Sequence, residues 1–295
     1  MTILVIDAGN THIKWALFAQ GVLDTTVRPA HPKDHFQAFA AEHWATLVRP
    51  TRVVVANVAG VDFGKILAAW IKQAWDIETE FVVPQHEACG IRNAYLDPQK
   101  LGVDRWAGMI AAHRNIQATS RAAEGRAIQE RSPEKAKAKS SARTAREKKS
   151  DTTTSTNSVT NSVCVIDCGT AITIDVLTAS GEHQGGLIVP GLTMMRHALL
   201  ANTQDIGSKM GNESSEIDIL ARDTPGGVNG GTLYTVISVI DRVTTDLAAE
   251  LGNNMTRVIT GGDAPALLPL LAGQYHHEPM LVLQGLAIFA TENAA

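Results

Sequence analysis

Two segments of this chain open alike, and no other feature narrows its possible folds as much. One begins Ile3-Leu4-Val5-Ile6-Asp7-Ala8-Gly9-Asn10-Thr11, the other Val163-Cys164-Val165-Ile166-Asp167-Cys168-Gly169-Thr170. In each, an unbroken apolar run ends in Asp-x-Gly, which predicts a strand buried on both faces and closed by a tight turn. Alternation resumes at Ile13, Trp15 and Leu17 in one copy, and at Ile172, Ile174 and Val176 in the other. A strand, glycine turn and second strand found twice imply an internal duplication.

Between the copies the composition changes. From Ala118 to Ser158 the only large aliphatic residue is Ile128, aromatics are absent, and ten Lys/Arg face five Asp/Glu. Such a stretch buries too little apolar surface to offset chain entropy. It reads as a disordered or frayed helical insertion, tolerated because long loops cost little, with a basic tether for RNA or a partner as the lesser reading. The chain therefore divides into residues 1–117, an insertion at 118–158, and residues 159–295. Elsewhere, Arg52–Ala56 and Phe81–Val83 read as strands and residues 63–74 as a helix. Leu101–Asn115 and a long stretch from Leu233 to a stop at Gly252 also read as helices, and Arg257–Thr260 as a strand entering Gly261-Gly262. Alternating strands and helices make this a mixed α/β chain.

Composition sets further bounds. With 295 residues, 44% hydrophobic and 19% charged, the chain can bury a large core without disulfides. A net charge of −4 argues against a general nucleic-acid binder. Apolar stretches such as Met280–Ala290, interrupted by Gln284, are too short to span a membrane. No basic n-region precedes the first strand, so no signal peptide is expected. Three cysteines, Cys89, Cys164 and Cys168, fit a reducing cytoplasm, the last two as packed thiols.

Several residues could carry chemistry. A glycine turn aims backbone N–H groups and the Asn10 and Thr11 side chains at phosphate oxygens, Lys14 adds a point charge, and Asp7 can hold hydrated Mg²⁺. Two such hairpins facing each other could grip a polyphosphate. Thr260-Gly261-Gly262-Asp263 lets backbone approach a ring or ribose, or else is a turn capped by Asp263. In Tyr95-x₆-Gly102-Val103-Asp104-Arg105, a carboxylate and a cation stand together at a helix start, as phosphoryl transfer to an alcohol requires. Alternatively, Asp104 caps the helix and Arg105 pairs with a carboxylate. Gly185–Gly191 reads as a strand and turn feeding a helix with Met194, Met195, Leu199 and Leu200, suited to core or interface packing. Asp223-Thr224-Pro225 and Asn229-Gly230-Gly231 precede the long helix, with Thr224 as a donor or a cap. His276-His277-Glu278 reads as a solvated loop. No P-loop, Gly-x-Ser-x-Gly elbow or His-Glu-x-x-His occurs.

Together these motifs resemble type III pantothenate kinase, in the acetate and sugar kinase/Hsp70/actin superfamily. They are Asp7-x-Gly-Asn10-Thr11-x-x-Lys14, Gly102-x-Asp104-Arg105, Asp167-x-Gly169-Thr170-Ala171-x-Thr173-x-Asp175, Gly185-Gly186-x-Ile188-x-Pro190-Gly191 and Thr260-Gly261-Gly262. The resemblance implies two duplicated RNase H-like domains with ATP in the cleft between them, and a cytoplasmic homodimer. It implies phosphorylation of pantothenate to 4′-phosphopantothenate, opening coenzyme A synthesis, with Mg²⁺ and a monovalent cation, K⁺ or NH₄⁺. By position, Asp7, Ala8, Gly9, Asn10, Thr11, His12, Ile13 and Lys14 would meet ATP phosphates, and Thr170 would contact ATP. Asp104 would accept the hydroxyl proton. Tyr95, Gly102, Val103, Asp104 and Arg105 would line the pantothenate pocket, Asp167 would bind the monovalent cation, and Thr224 would reach pantothenate from the dimer partner. Asp223 replaces the family's Asn there. Two other readings stand beside this one. One is a regulatory or interaction protein on the same fold, since the family includes Bvg accessory factor-like proteins. The other is a different small-alcohol kinase or a phosphatase of the superfamily.

Overall fold

Side chains alternate across a strand, so an unbroken apolar run needs cover on both faces, and the architecture supplies it twice. The structure, a computed structural model, describes residues 1–24, 35–130, 161–203, 205–206, 220–251 and 255–292. The first sheet contains β1 (Thr2–Ala8), β2 (Ile13–Ala19), β3 (Val22–Asp24), β4 (Arg52–Asn57) and β5 (Thr79–Phe81), in the order β3-β2-β1-β4-β5. A short hairpin follows, β6 (Glu87–Ala88) and β7 (Ile91–Arg92). The second sheet contains β8 (Val163–Cys168), β9 (Ala171–Leu177), β10 (His183–Pro190), β11 (Thr256–Thr260) and β12 (His276–His277), in the order β10-β9-β8-β11-β12. The orders are identical. In each sheet the first strand pairs antiparallel with the second and parallel with the fourth. This is the duplicated, RNase H-like α/β architecture.

The helices are α1 (Phe36–His43), α2 (Val61–Trp75), α3 (Val103–Glu130), α4 (Leu192–Asn202), α5 (Thr224–Leu251), α6 (Ala264–Leu267) and α7 (Leu281–Glu292). On the outer face of the first sheet, Leu4, Ile6, Ile13 and Trp15 pack against Phe36, Phe39 and Trp44 from the α1 region and Phe63, Leu67 and Ile71 of α2. On the outer face of the second, Cys164, Ile166, Ile172 and Ile174 pack against Leu233, Val236 and Ile240 of α5. Both inner faces share one core. Ile3, Val5 and Val54 of one sheet and Val163, Val165 and Leu177 of the other close on Trp106 and Ile110 of α3 and Leu283 and Leu286 of α7.

That shared core joins the halves. Although α7 closes the chain, it lies against the first sheet, where Arg52 Nη1 donates to the Ala290 carbonyl at 2.7 Å. It also crosses α3, where Asn115 bonds Gln284 at 3.0 Å and Arg114 pairs with Glu292. The helices approach so closely at Gly285 that a Cβ there would enter the Ala107 backbone.

Several elements differ from expectation. The strand expected at Phe81–Val83 is Thr79–Phe81, because register with Val53–Val55, not apolar content, sets this edge. The helix expected at Leu101–Asn115 begins at Val103 and runs on to Glu130, into the expected insertion, through strong helix formers such as Ala, Arg, Gln and Glu. The rest of the insertion, residues 131–158, lies outside the described residues, as does the stop at Gly252. The long helix starts at Thr224 rather than Leu233, so Asn229-Gly230-Gly231 is inside it; Gly226 and Gly230 are buried, and a Cβ at Gly226 would crowd Ala221 and Asp223. His276-His277 is an exposed edge strand rather than a loop. Among the described residues, no helix is long and apolar enough to cross a membrane.

Gly285→Ala should destabilise the fold. Overpacking against Ala107 costs about 1–3 kcal/mol, exceeding the helix-propensity gain of about 1 kcal/mol. A lower urea midpoint at unchanged m-value is the expected result.

Candidate active site

The alternation that builds the shared core also delivers its charges. Ile3 and Val5 face inward, so Asp7, two residues on, takes the same side, and Lys14 pairs directly with it on β2. In the second sheet Val163 and Val165 face inward, so Asp167 does too, opposite Thr173. A third carboxylate, Asp104, enters from the first turn of α3. Burial raises Asp7 to about 7 and Asp167 to about 6, and Asp104 adds to both shifts while Lys14 opposes them. The Asp104 carboxyl is also raised by burial, against the pull of Arg105. Its Oδ1 accepts the Arg105 N–H at 2.8 Å.

The hairpin tips meet. Thr11 Oγ1 and Thr170 Oγ1 are 2.7 Å apart, a direct contact between the two copies of the motif. The turns themselves are unequal. Residues 9–12 separate β1 from β2, with Gly9 N–H bonded to the His12 carbonyl at 2.9 Å, whereas only Gly169 and Thr170 separate β8 from β9. Ala8 and Ile13 are buried, while Asn10, Thr11 and His12 are exposed. Gly261, with φ +97°, fits against the Cys168 backbone where a side chain would not, and the Asp263 N–H donates to the Cys168 carbonyl at 2.9 Å. Thr260-Gly261-Gly262-Asp263 is thereby joined to the second hairpin. The Asp263 side chain caps no helix; its carboxyl feels Arg196 of α4 and His12 of the opposing hairpin.

Arg105 is not a loose cation beside Asp104. Its Nε and Nη2 donate to the two oxygens of Asp175 at 2.8 and 2.6 Å, and Nη1 donates to the Tyr95 hydroxyl at 2.9 Å. Its guanidinium lies 5.7 Å from the Tyr95 ring centroid. His183 stacks on Tyr95 with ring centroids 6.1 Å apart. The His183 Nδ1 accepts the Ala94 N–H at 3.4 Å, leaving Nε2–H to donate to Asp175 Oδ1 at 3.0 Å. Arg105 and its neighbours hold the Asp175 carboxyl below the usual range, against the opposing effect of burial.

The sequence expectations thus fall into place unevenly. Asp7, Lys14, Asp104 and Asp167 converge, and Tyr95, Gly102, Val103 and Arg105 sit beside them. Thr224 is the first residue of α5, where Asp223 caps the helix by accepting the Gly226 N–H at 2.7 Å. Among the described residues, no hydrogen bond joins Thr224 to the Asp104 cluster. Arg105 pairs with a carboxylate, as the alternative reading of that motif held, but neither its identity as Asp175 nor the part of His183 was expected. The available signal was the placement of Asp175 eight residues after Asp167, on the adjoining antiparallel strand.

The raised carboxyls make a pH prediction. Folded Asp7 holds its proton more tightly than the unfolded chain, whose value is 3.8, so stability falls as pH rises from about 4 through 7. The free protein should melt lower at pH 8 than at pH 5.5. Asp7→Asn should flatten that slope and raise the pH 8 melting temperature, by ~2–4 °C per kcal/mol relieved. Thermal scans across this range provide the check.

The chain is similar to known proteins over nearly its full length. A family model described as type III pantothenate kinase matches residues 3–122 and 152–246. A type III pantothenate kinase of Nitrosococcus oceani is 37% identical over 99% of this chain and 95% of its own. One of Burkholderia multivorans is 32% identical over 99% and 97%. A solved structure titled as a Baf family transcriptional activator from Campylobacter jejuni superimposes with a TM-score of 0.53 at 16% identity, over 99% of this chain and 98% of that one, a likeness of fold. Carrying the motifs, the duplicated sheets and this degree of similarity, the chain belongs to the type III pantothenate kinase family.

Proposed function

We propose that the chain transfers the γ-phosphoryl group of ATP to the primary hydroxyl of pantothenate. The products are 4′-phosphopantothenate and ADP, in the first step of coenzyme A synthesis. Family membership supports the substrate, and the observation that carries the chemistry is that Asp104 lies close enough to act on both Asp7 and Asp167, which share Lys14. We place the activity in the cytoplasm.

In this reading the two hairpins hold the triphosphate. The Asn10, Thr11 and Thr170 side chains, turn N–H groups and Lys14 donate to phosphate oxygens, and the Thr11–Thr170 hydrogen bond is exchanged for phosphate contacts. Burying Asp7 and Asp167 together disfavours their charged forms, so the donor set suits cations. Asp7 would hold Mg²⁺ and Asp167 a monovalent cation, K⁺ or NH₄⁺. Bound there, they would supply positive charge to the phosphoryl oxygens. Asp104, with Oδ1 engaged by the Arg105 N–H, offers its other oxygen to the pantothenate hydroxyl. As that hydroxyl oxygen bonds the γ-phosphorus and the bond to ADP breaks, Asp104 takes the proton. Burial raises Asp104, which makes it a stronger base when ionised. Tyr95, Gly102, Val103 and Arg105 would form the acceptor pocket. The basic side chain of Arg105 serves that pocket rather than the phosphoryl group, since Asp175 takes its charge.

The second half exposes Leu187 and Ile188 on β10, Met194 and Leu199 on α4, and Tyr234 on α5. This supports the interface reading of that helix over the core reading, and with it a homodimer in which Thr224 reaches the partner's pantothenate.

Two experiments test these readings. Incubation with ATP, Mg²⁺ and pantothenate should yield phosphopantothenate, and omission of K⁺ and NH₄⁺ should slow it. Asp104→Asn should lower kcat by about 10²–10⁴-fold while the protein stays folded in a thermal scan; near-normal turnover would remove Asp104 as the base. In the second, Ile188→Asp with Met194→Glu should give monomers in sedimentation and a higher pantothenate KM. A variant that stays dimeric would rule out this face as the interface.

A further inference from the structure

Asp175 lies at a backbone irregularity that neither the hairpins nor the proton acceptor requires. Leu177 pairs with His183 and Asp175 with Gly186, so two residues on β9 span three on β10. The extra residue makes a bulge, with Gly185 at φ +101°. Paired residues share a face, so the bulge turns both His183 and Gly186 toward the side of Asp175, which regular alternation would forbid. That side is the inner one, toward α3, because Leu177 belongs to the shared core.

Each position has a consequence. His183, whose side chain is fully buried, delivers its Nε2–H to Asp175. Gly186 leaves open the volume that the Arg105 fork enters, since a Cβ there would meet Arg105 Nη2 at 2.7 Å and collide with Asp175 Oδ1. Asp175 thus receives three charge-assisted or polar donors, from α3 and from β10, at 2.6–3.0 Å. Arg105 has five N–H groups; among the described residues Asp175 and Tyr95 engage three, which leaves one on each terminal nitrogen for a substrate oxygen. A buried ion pair is a weak source of stability, because desolvation offsets attraction. Its clearer physical effect is orientation: a bidentate fork permits one guanidinium plane.

We propose that Asp175 is a positioning residue for the acceptor. It acts through Arg105 and His183, and fixes the guanidinium plane, the Tyr95 hydroxyl and the 93–95 backbone as one pantothenate-binding surface assembled from both halves. This rests on the proposed kinase activity. Asp175 also offsets the guanidinium charge that Arg105 presents to neighbouring Asp104.

Steady-state kinetics of the full chain test the idea with Asp175→Asn, which keeps the shape but cannot accept both Arg105 donors. The pantothenate KM should rise on the order of ten- to hundredfold, while the ATP KM stays within about twofold. A second variant, His183→Asn, should move the pantothenate KM in the same direction and spare the ATP KM, and it serves if Asp175→Asn fails to fold in a thermal scan. Folded variants with an unchanged pantothenate KM, or with both KM values shifted in parallel, would overturn the positioning role and leave the kinase reading standing. A wild-type protein that does not phosphorylate pantothenate would overturn both.

Discussion

Placing carboxylates of like charge in a shared, poorly solvated junction costs free energy, and much of the structure is arranged around that cost. Asp7 and Asp167 stand at the inward ends of equivalent strands, with Asp104 entering between the halves and Lys14 as the nearby cation that opposes their shifts. The second hairpin has Thr173 where the first has Lys14, so one lysine serves both aspartates. A site short of positive charge is suited to ligands that bring it, or to substrates accompanied by it.

The scaffold tolerates this because the strain is confined to strand ends. Below Asp7 and Asp167 the same inner faces become Ile3, Val5, Val163 and Val165, packed on α3 and α7. Those helices are common to both halves, and Arg52, Arg114 and Asn115 tie α7 back to the first sheet and to α3. This helix, α7, therefore buttresses the element that carries Asp104. Arg105, on the next residue of α3, locks onto Asp175 of the other sheet. One helix start thus contributes both to the charged junction and to the cross-link between halves.

Two charge regimes sit side by side there. Asp7, Asp104 and Asp167 are raised, each first by burial, whereas Asp175 is lowered because His183 and Arg105 donate directly to its oxygens. The difference is one of partners rather than depth: Asp175 receives three side-chain donors, two of them from a guanidinium, whereas Asp104 accepts one backbone N–H. Direct hydrogen bonds to an anion favour its charged form, and burial without them does the reverse. A guanidinium fork favours the ionised form of a carboxylate, whereas burial raises its pKa and makes it a stronger base once ionised.

The sequence by itself determined the duplicated strands, their buried character, the Asp-x-Gly turns and the pairing of Asp104 with Arg105 at a helix start. These are local patterns, and period-2 and period-3.6 spacing record them directly. It also carried the helical spacing of α2, but not the start of α5, where buried glycines masked a helix that Asp223 caps, nor the edge register of β5. Only the tertiary structure decided that α7 belongs against the first sheet, that Thr11 meets Thr170, and that Asp175 of the other sheet takes the Arg105 fork. Each of these depends on contacts between residues far apart in the chain, 159 positions for the threonines and 70 for the ion pair. No local periodicity encodes such distances; packing of the shared core sets them.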